Sequence, residues 1–335
     1  MATSVVLIPG DGIGPEVIAA ARRVLDASGV AFDWSVCEAG ASVADRGGKP
    51  LPQETLDAIA KAKLALKGPT ATPIGTGFRS VNVELRQKLD LFANYRPARS
   101  IEGVKSRWQN VDLIVIRENT EGLYSGLEHV VIPGVIESLR IVTERASERI
   151  VRFAFETARR LGRKKVTAVH KANILKLSDG LFLSVARRMA HDYPAVQFED
   201  GIVDATAMKL VLDPSRFDVL VMENLFGDII SDLTSGLVGG LGVTPSGNIG
   251  LETAVFEAVH GSAPDIAGKK LANPTALMLS GALLLAHIGE HAAAERVEQA
   301  VKAVIAEGRY VTADLGGNAS TDEFTDAVLA KLERQ

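Results

Sequence analysis

Runs rich in valine, isoleucine and leucine alternate along the chain with stretches whose apolar residues recur every three or four positions. The first pattern predicts strands and the second amphipathic helices. Ser4 to Ile8, Val111 to Ile116, Val166 to Val169 and Phe217 to Met222 are predicted strands. Helical spacing covers Arg145 to Leu161 and Gly180 to His191, and Val297, Val301, Val304 and Ile305 make one apolar stripe nearer the end. Ser320 followed three residues later by Glu323 is a capping-box pattern that opens a last helix. The most apolar stretch, Ala272 to Ile288, contains Asn273, Pro274, Ser280 and His287, which predicts a buried core helix rather than a membrane span. The alternation as a whole predicts a layered α/β protein with a mostly parallel sheet and helices on its faces. Breaks at Arg96-Pro97 and across the glycine-rich stretch Gly236 to Gly250, which includes Pro245, mark candidate hinges.

Composition narrows the class. At roughly 150 residues per domain, 335 residues favour two domains. Hydrophobic residues at 47% and charged residues at 23% exclude disordered, collagen-like and coiled-coil chains. Lys and Arg number 37 against 41 Asp and Glu, a net charge of −4, so no general attraction to nucleic acid or membrane is expected. Cys37 is the only cysteine, which excludes an intrachain disulfide and a multi-cysteine metal cluster. It follows the alternating run Phe32, Trp34, Val36 and is expected to be a small buried hydrophobe. Met1 to Pro9 lacks the basic flank and cleavage site of a signal peptide, and with the cysteine count this predicts a cytoplasmic location.

Three segments carry candidate chemistry. Pro9 to Glu16 holds Gly10, Gly12 and Gly14 between a strand and a helix, but Pro15 stands where a dinucleotide fingerprint needs its last glycine, so a tight structural turn is the favoured reading. Arg79, Arg86, Arg96, Arg99, Arg107 and Arg117 make an arginine-rich stretch suited to forking carboxylates, with solvated surface arginines as the alternative. Ser80, Asn82 and Arg86 can line one side of a turn entering a helix. Asp228 and Asp232, four apart, share a helix face and outline an oxygen-ligand site for Mg2+ or Mn2+, with Asp204 as a more distant candidate. A helix N-cap at Asp228 with a solvated Asp232 remains equally open. His287 to His291 matches a zinc-protease spacing, but Gly289 is expected to end the helix between the two histidines, which argues against that chemistry.

Five longer motifs stand in one order: Ser80-Val-Asn82-Val-Glu-Leu-Arg86; Ile116-Arg117 through Tyr124-Ser-Gly; His170-Lys171-Ala-Asn173; Asn224 through Asp228 to Asp232; and His260-Gly261-Ser262-Ala263-Pro264-Asp265-Ile266. Together they closely resemble the isocitrate and isopropylmalate dehydrogenase family, nearly end to end. The resemblance implies an α/β fold that is not a Rossmann fold, with an active-site cleft between two domains. The large, cofactor-binding domain would comprise residues 1–96 and 237–335, and the small central domain, with the dimer interface, residues 97–236. It implies a homodimer in which Lys171 and Asp204 serve the neighbouring chain's site. Arg86, Arg96 and Arg117 would clamp substrate carboxylates, with Ser80, Asn82 and Asn173 also touching substrate, while Asp204, Asp228 and Asp232 hold the metal. Lys171 would help remove the hydroxyl proton and Tyr124 would protonate the product carbon. Thr72, the loop His260 to Ile266 and Asn273 would bind the cofactor. Asp265 and Ile266 stand where NADP-dependent members carry Lys and Tyr, so NAD is expected, because a carboxylate repels a 2′-phosphate. The Ser-x-Asn-x-x-Leu-Arg pattern implies isocitrate as substrate, oxidatively decarboxylated with Mg2+ or Mn2+. Homoisocitrate or 3-isopropylmalate dehydrogenase is the enzymatic alternative, and a non-catalytic regulatory subunit the other.

Overall fold

A computed structural model describes residues 2–75 and 77–334. The strands are β1 (Thr3–Ile8), β2 (Phe32–Val36), β3 (Leu64–Lys67), β4 (Ala93–Arg99), β5 (Asp112–Glu118), β6 (Gly122–Ile132), β7 (Val135–Ile141), β8 (Lys165–His170), β9 (Gln197–Ile202), β10 (Val219–Met222), β11 (Pro245–Ile249) and β12 (Ala254–Ala258). The helices are α1 (Gly14–Asp26), α2 (Ala41–Asp45), α3 (Gln53–Ala62), α4 (Val81–Lys88), α5 (Glu144–Arg160), α6 (Ser178–Ala190), α7 (Val203–Leu212), α8 (Asn224–Leu237), α9 (Thr275–His287), α10 (His291–Glu307) and α11 (Thr321–Leu332). Ten strands form one sheet in the order β2-β1-β3-β12-β11-β4-β5-β10-β8-β9, while β6 and β7 form a separate hairpin.

The sheet is parallel in both flanks, β2-β1-β3-β12 and β5-β10-β8-β9, and antiparallel through its middle, where β11 pairs with β12 and β4, and β4 with β5. Both expected pattern breaks lie in that antiparallel middle and neither interrupts the sheet. β4 runs straight through Arg96-Pro97; β11 covers it only over Ala93 to Tyr95, so beyond that point one edge is unpaired and tolerates a residue without an N–H. The glycine-rich stretch contains β11 itself, and a Cβ on Gly247 would come within 2.9 Å of the Phe256 ring, so glycine serves close strand packing there.

Two apolar clusters draw mainly on the two ends of the chain, with Ile101 and Val104 joining them, and two others draw on residues between Phe92 and Val238. The apolar stretch before Ile288 forms α9, buried along most of its length, and no helix among the described residues is long and apolar enough to cross a membrane. α9 ends at His287 and α10 begins at His291, with Gly289 at φ 88° between them, so the two histidines lie on different helices. The last helix opens with the reciprocal Ser320–Glu323 capping box. Cys37 departs from expectation. β2 is an edge strand with Val36 60% exposed, and the thiol following it is only partly buried.

Candidate active site

The antiparallel middle of the sheet turns polar side chains to one face. Residues two apart along a strand share a face, and the register sets Asn94 opposite both Asn248 and Arg117, and Ser246 opposite Glu257. Asn94 donates to Ser246 Oγ at 3.1 Å and to Asn248 Oδ1 at 3.0 Å, and Asn248 donates to Glu257 Oε1 at 2.7 Å. Glu257 also receives Lys67 Nζ at 2.7 Å and Arg86 Nη2 at 3.0 Å. Burial pushes the Glu257 carboxyl up, but the two cations outweigh it and hold the group well below the usual carboxylate range. Lys67 and Glu257 were not among the residues singled out from sequence, although a charge inside each of the apolar strands Leu64–Lys67 and Ala254–Ala258 is a signal that each needs a buried partner.

On this floor stand three buried arginines. Arg96 donates to Ser231 Oγ at 2.6 Å and to Asp232 Oδ1 at 3.0 Å. Arg117, 1% exposed, donates to Asn224 Oδ1 from Nε at 3.1 Å and from Nη2 at 2.8 Å, and its Nη1 pairs with Asp228. A Cβ on Gly227 would meet Arg117 Cγ at 2.4 Å, so only glycine lets the arginine stem lie against α8. Burial, then the neighbouring Arg86 and Arg96, lowers the Arg117 pKa from 12.5 to about 10. Burial and Arg86 likewise lower Arg96. Nε of both Arg86 and Arg96 is buried without a partner. Three guanidiniums gathered on one floor suit an anion bearing several carboxylates.

Helix α8 supplies the counter-charge. Glu223 caps its start by accepting from Leu225 and Phe226 amides, so the N-cap is Glu223 and not Asp228. Asp228, Ser231 and Asp232 then fall on one face at i, i+3 and i+4. Burial raises Asp228, but Arg117, the Tyr124 hydroxyl, Arg96 and Arg86 bring it below its usual value. Asp232 moves the other way. Burial and the Asp228 charge raise it in spite of Arg96. Tyr124 donates to Asp228 Oδ2, and Arg117 lies 5.0 Å above its ring. Two carboxylates on one face of α8 in the cleft are oxygen ligands of the kind a hard divalent cation takes. Ser80 is the N-cap of α4 without a side-chain capping bond, and Asn82 Oδ1 accepts from Thr70, which leaves the hydroxyl and the amide donors for the cleft. Ser80, Asn82, Tyr124, Asp228, Asp232, Ser246, Glu257 and the three arginines line one cleft of about 230 Å3.

Lys171, Asn173 and Asp204 are not in its walls. They lie together past the end of β8, where buried His170 accepts from the Ala172 amide at 3.0 Å and faces Asp200 at 3.2 Å, fixing the turn. Lys171 Nζ reaches Asp204 Oδ1 at 2.5 Å in the first turn of α7, and the Asp204 side chain is 67% exposed. Among the described residues no three His, Cys, Asp or Glu side chains gather as a metal site.

Of the cofactor candidates, His260 and Gly261 join the cleft wall. Burial lowers His260, favouring the neutral ring, whose Nδ1 faces Gly261 O at 3.0 Å and whose buried Nε2 has no partner. An orphaned acceptor beside a cleft fits a hydroxyl donor such as a ribose. Ser262 O accepts from the Ile13 amide at 2.9 Å, and a Cβ on Gly12, at φ 60°, would collide with it at 1.9 Å. The glycine turn therefore buttresses this loop. Ala263 sits at φ 36°, Pro264, Asp265 and Thr72 are exposed, Ile266 is partly buried, and buried Asn273 donates to Asp314 at 2.9 Å.

The family model described as isocitrate/isopropylmalate dehydrogenase matches residues 4–328. A Drosophila melanogaster protein named probable isocitrate dehydrogenase (NAD) subunit alpha, mitochondrial, is 50% identical over 98% of this chain and 87% of its own length. Isocitrate dehydrogenase (NAD) catalytic subunit 5, mitochondrial, of Arabidopsis thaliana is 53% identical over 97% and 87%. The crystal structure of isocitrate dehydrogenase from Methylococcus capsulatus superposes with a TM-score of 0.97 at 52% identity, covering 100% of both chains. The mitochondrial names overturn the cytoplasmic expectation. A lone cysteine indicates reducing surroundings and does not say which compartment provides them.

Proposed function

The chain belongs to the isocitrate/isopropylmalate dehydrogenase family, and from that premise we propose that it catalyses NAD-dependent oxidative decarboxylation of isocitrate to 2-oxoglutarate and CO2 with Mg2+ or Mn2+. The observation that carries this reading is the convergence of three buried, mutually repelling arginines with two aspartates in one cleft. Arg86, Arg96 and Arg117 bind the carboxylates. Ser80 and Asn82 donate to the carboxylate that distinguishes isocitrate from apolar-substituted relatives, since donors facing a methyl group would be left unpaired. Asp228 and Asp232, with the partner subunit's Asp204, would hold the divalent ion. When bound, that ion would supply Lewis-acid polarisation of the 2-oxygen and NAD would supply the hydride acceptor. The partner subunit's Lys171 takes the hydroxyl proton, and Tyr124 delivers a proton to the carbon that loses CO2. Asn173 would reach substrate from the same side as Lys171.

A homodimer is part of this proposal, because Lys171 and Asp204 lie outside their own chain's cleft. The β6–β7 hairpin supports it, with Val130, Ile132 and Ile136 exposed at 65%, 59% and 67%, an apolar patch that a partner would cover. Residues 1–96 with 237–335 as one domain and 97–236 as the other belong to the same proposal, supported by apolar clusters that are mainly terminal or mainly central, with Ile101 and Val104 packing in the first kind and Phe92, Ala93, Leu237 and Val238 in the second.

Purified protein with Mn2+ is expected to reduce NAD far faster with isocitrate than with homoisocitrate or 3-isopropylmalate, and EDTA to abolish the rate. Equal or greater turnover with homoisocitrate would overturn the substrate assignment. In the cofactor loop, Asp265→Lys with Ile266→Tyr is expected to move the kcat/KM preference toward NADP; an unchanged ratio rejects the role given to Asp265.

A further inference from the structure

The strands that build the active-site cleft have a second face. Arg96, Ser246 and Glu257 point into the cleft, so their neighbours Tyr95, Ile249 and Phe256 point away from it by the two-residue alternation of a strand. Behind them is a groove of about 990 Å3, at the upper end of the range typical of small-molecule sites. Its floor is aromatic and aliphatic. One wall is α5, through Phe153 and Thr157, and the other is the end of α9, through Leu283 and Ala286. The mouth carries Arg159 and Arg160 against the single carboxylate of Glu156, with His287 and His291 on the opposite lip. Neither arginine makes an ion pair among the described residues. Arg160 lines the same groove as Tyr95 and His287; burial raises Tyr95 in spite of Arg99 and Arg160, and burial, then Arg160, lowers His287.

We propose that this rear groove is a second ligand site, taking a flat aromatic body on Tyr95, Ile249 and Phe256 and its carboxylate or phosphate on Arg160. No residue of the dehydrogenase cleft contributes to it, yet its occupant would rest on the reverse of the strands that carry Arg96 and Glu257. Such a ligand would report to the substrate site through those strands.

The test is calorimetric titration of the full-length protein with 1-naphthoate and with 1-naphthyl phosphate. The front cleft is kept filled by isocitrate, Mg2+ and NADH, a combination that cannot turn over. One saturable site per chain is expected for these aromatic anions, the tighter of the two naming the acid group. Arg160→Glu, an exposed change, should weaken it at least tenfold, and Ala286→Trp, which fills the groove, should abolish it, both with isocitrate turnover retained. Should Ala286→Trp fail to fold, Arg160→Glu decides alone. The proposal is overturned if no saturable binding occurs, if Arg160→Glu leaves affinity unchanged, or if neutral 1-naphthol or inorganic phosphate binds as tightly as the aromatic anions.

Discussion

The cleft and the Lys171–Asp204 edge hold charge in opposite ways. In and beneath the cleft, Arg86, Arg96, Arg117, Lys67 and Glu257 are buried and tied to one another or to α8, and burial lowers the pKa of Arg96 and Arg117. At the edge, Asp204 faces solvent and Lys171 is partly buried, and a single contact ties them together. Buried charges of the first kind define a rigid receptor, because moving any of them strands another. A lysine of the second kind can leave its aspartate when a better partner arrives, which suits the role proposed for these groups in a site built on another chain.

The largest effect expected from this contrast falls on stability. Glu257→Gln leaves Lys67 and Arg86 buried without a counter-charge, and breaking such a pair costs about 3–5 kcal/mol. Chemical denaturation of wild type and variant measures it. Because folding depresses the Glu257 carboxyl below its ordinary value of 4.5, its contribution is full above that pH and is lost as pH falls toward the depressed value. The stability gap between wild type and Glu257→Gln should therefore narrow in acid; a gap that stays constant would show that the carboxylate charge is not what matters. The smallest effect belongs to the edge. Asp204→Asn should leave the thermal midpoint unmoved while removing turnover, and a clear fall in the midpoint would show that the pair is structural.

Much of the sheet was legible because apolar runs such as Val111 to Ile116 and Phe217 to Met222 report burial directly. The antiparallel middle was not. β4 carries Asn94, Arg96 and Pro97, and β11 carries Pro245, Gly247 and Asn248, so both read as breaks. They are strands because one face serves the cleft, and function there overrides β-propensity. Asp228 and Asp232 could be placed on one helix face from their spacing, but excluding Asp228 as the cap needed Glu223 to be seen capping α8. Lys67 and Glu257 escaped notice because they become partners only across the sheet, more than a hundred residues apart in sequence, a pairing that no local spacing announces.

That each cleft is finished by a second chain is tested most directly by a hybrid. Co-expression of differently tagged Lys171→Met and Asp228→Asn chains, each inactive alone, lets the mixed dimer be isolated through both tags. One of its two clefts then has intact Asp228 facing an intact Lys171, and isocitrate-dependent NADH formation should return at about half the wild-type rate per dimer. A hybrid no more active than either parent would mean that Lys171 acts within its own chain and that the cleft does not depend on a partner.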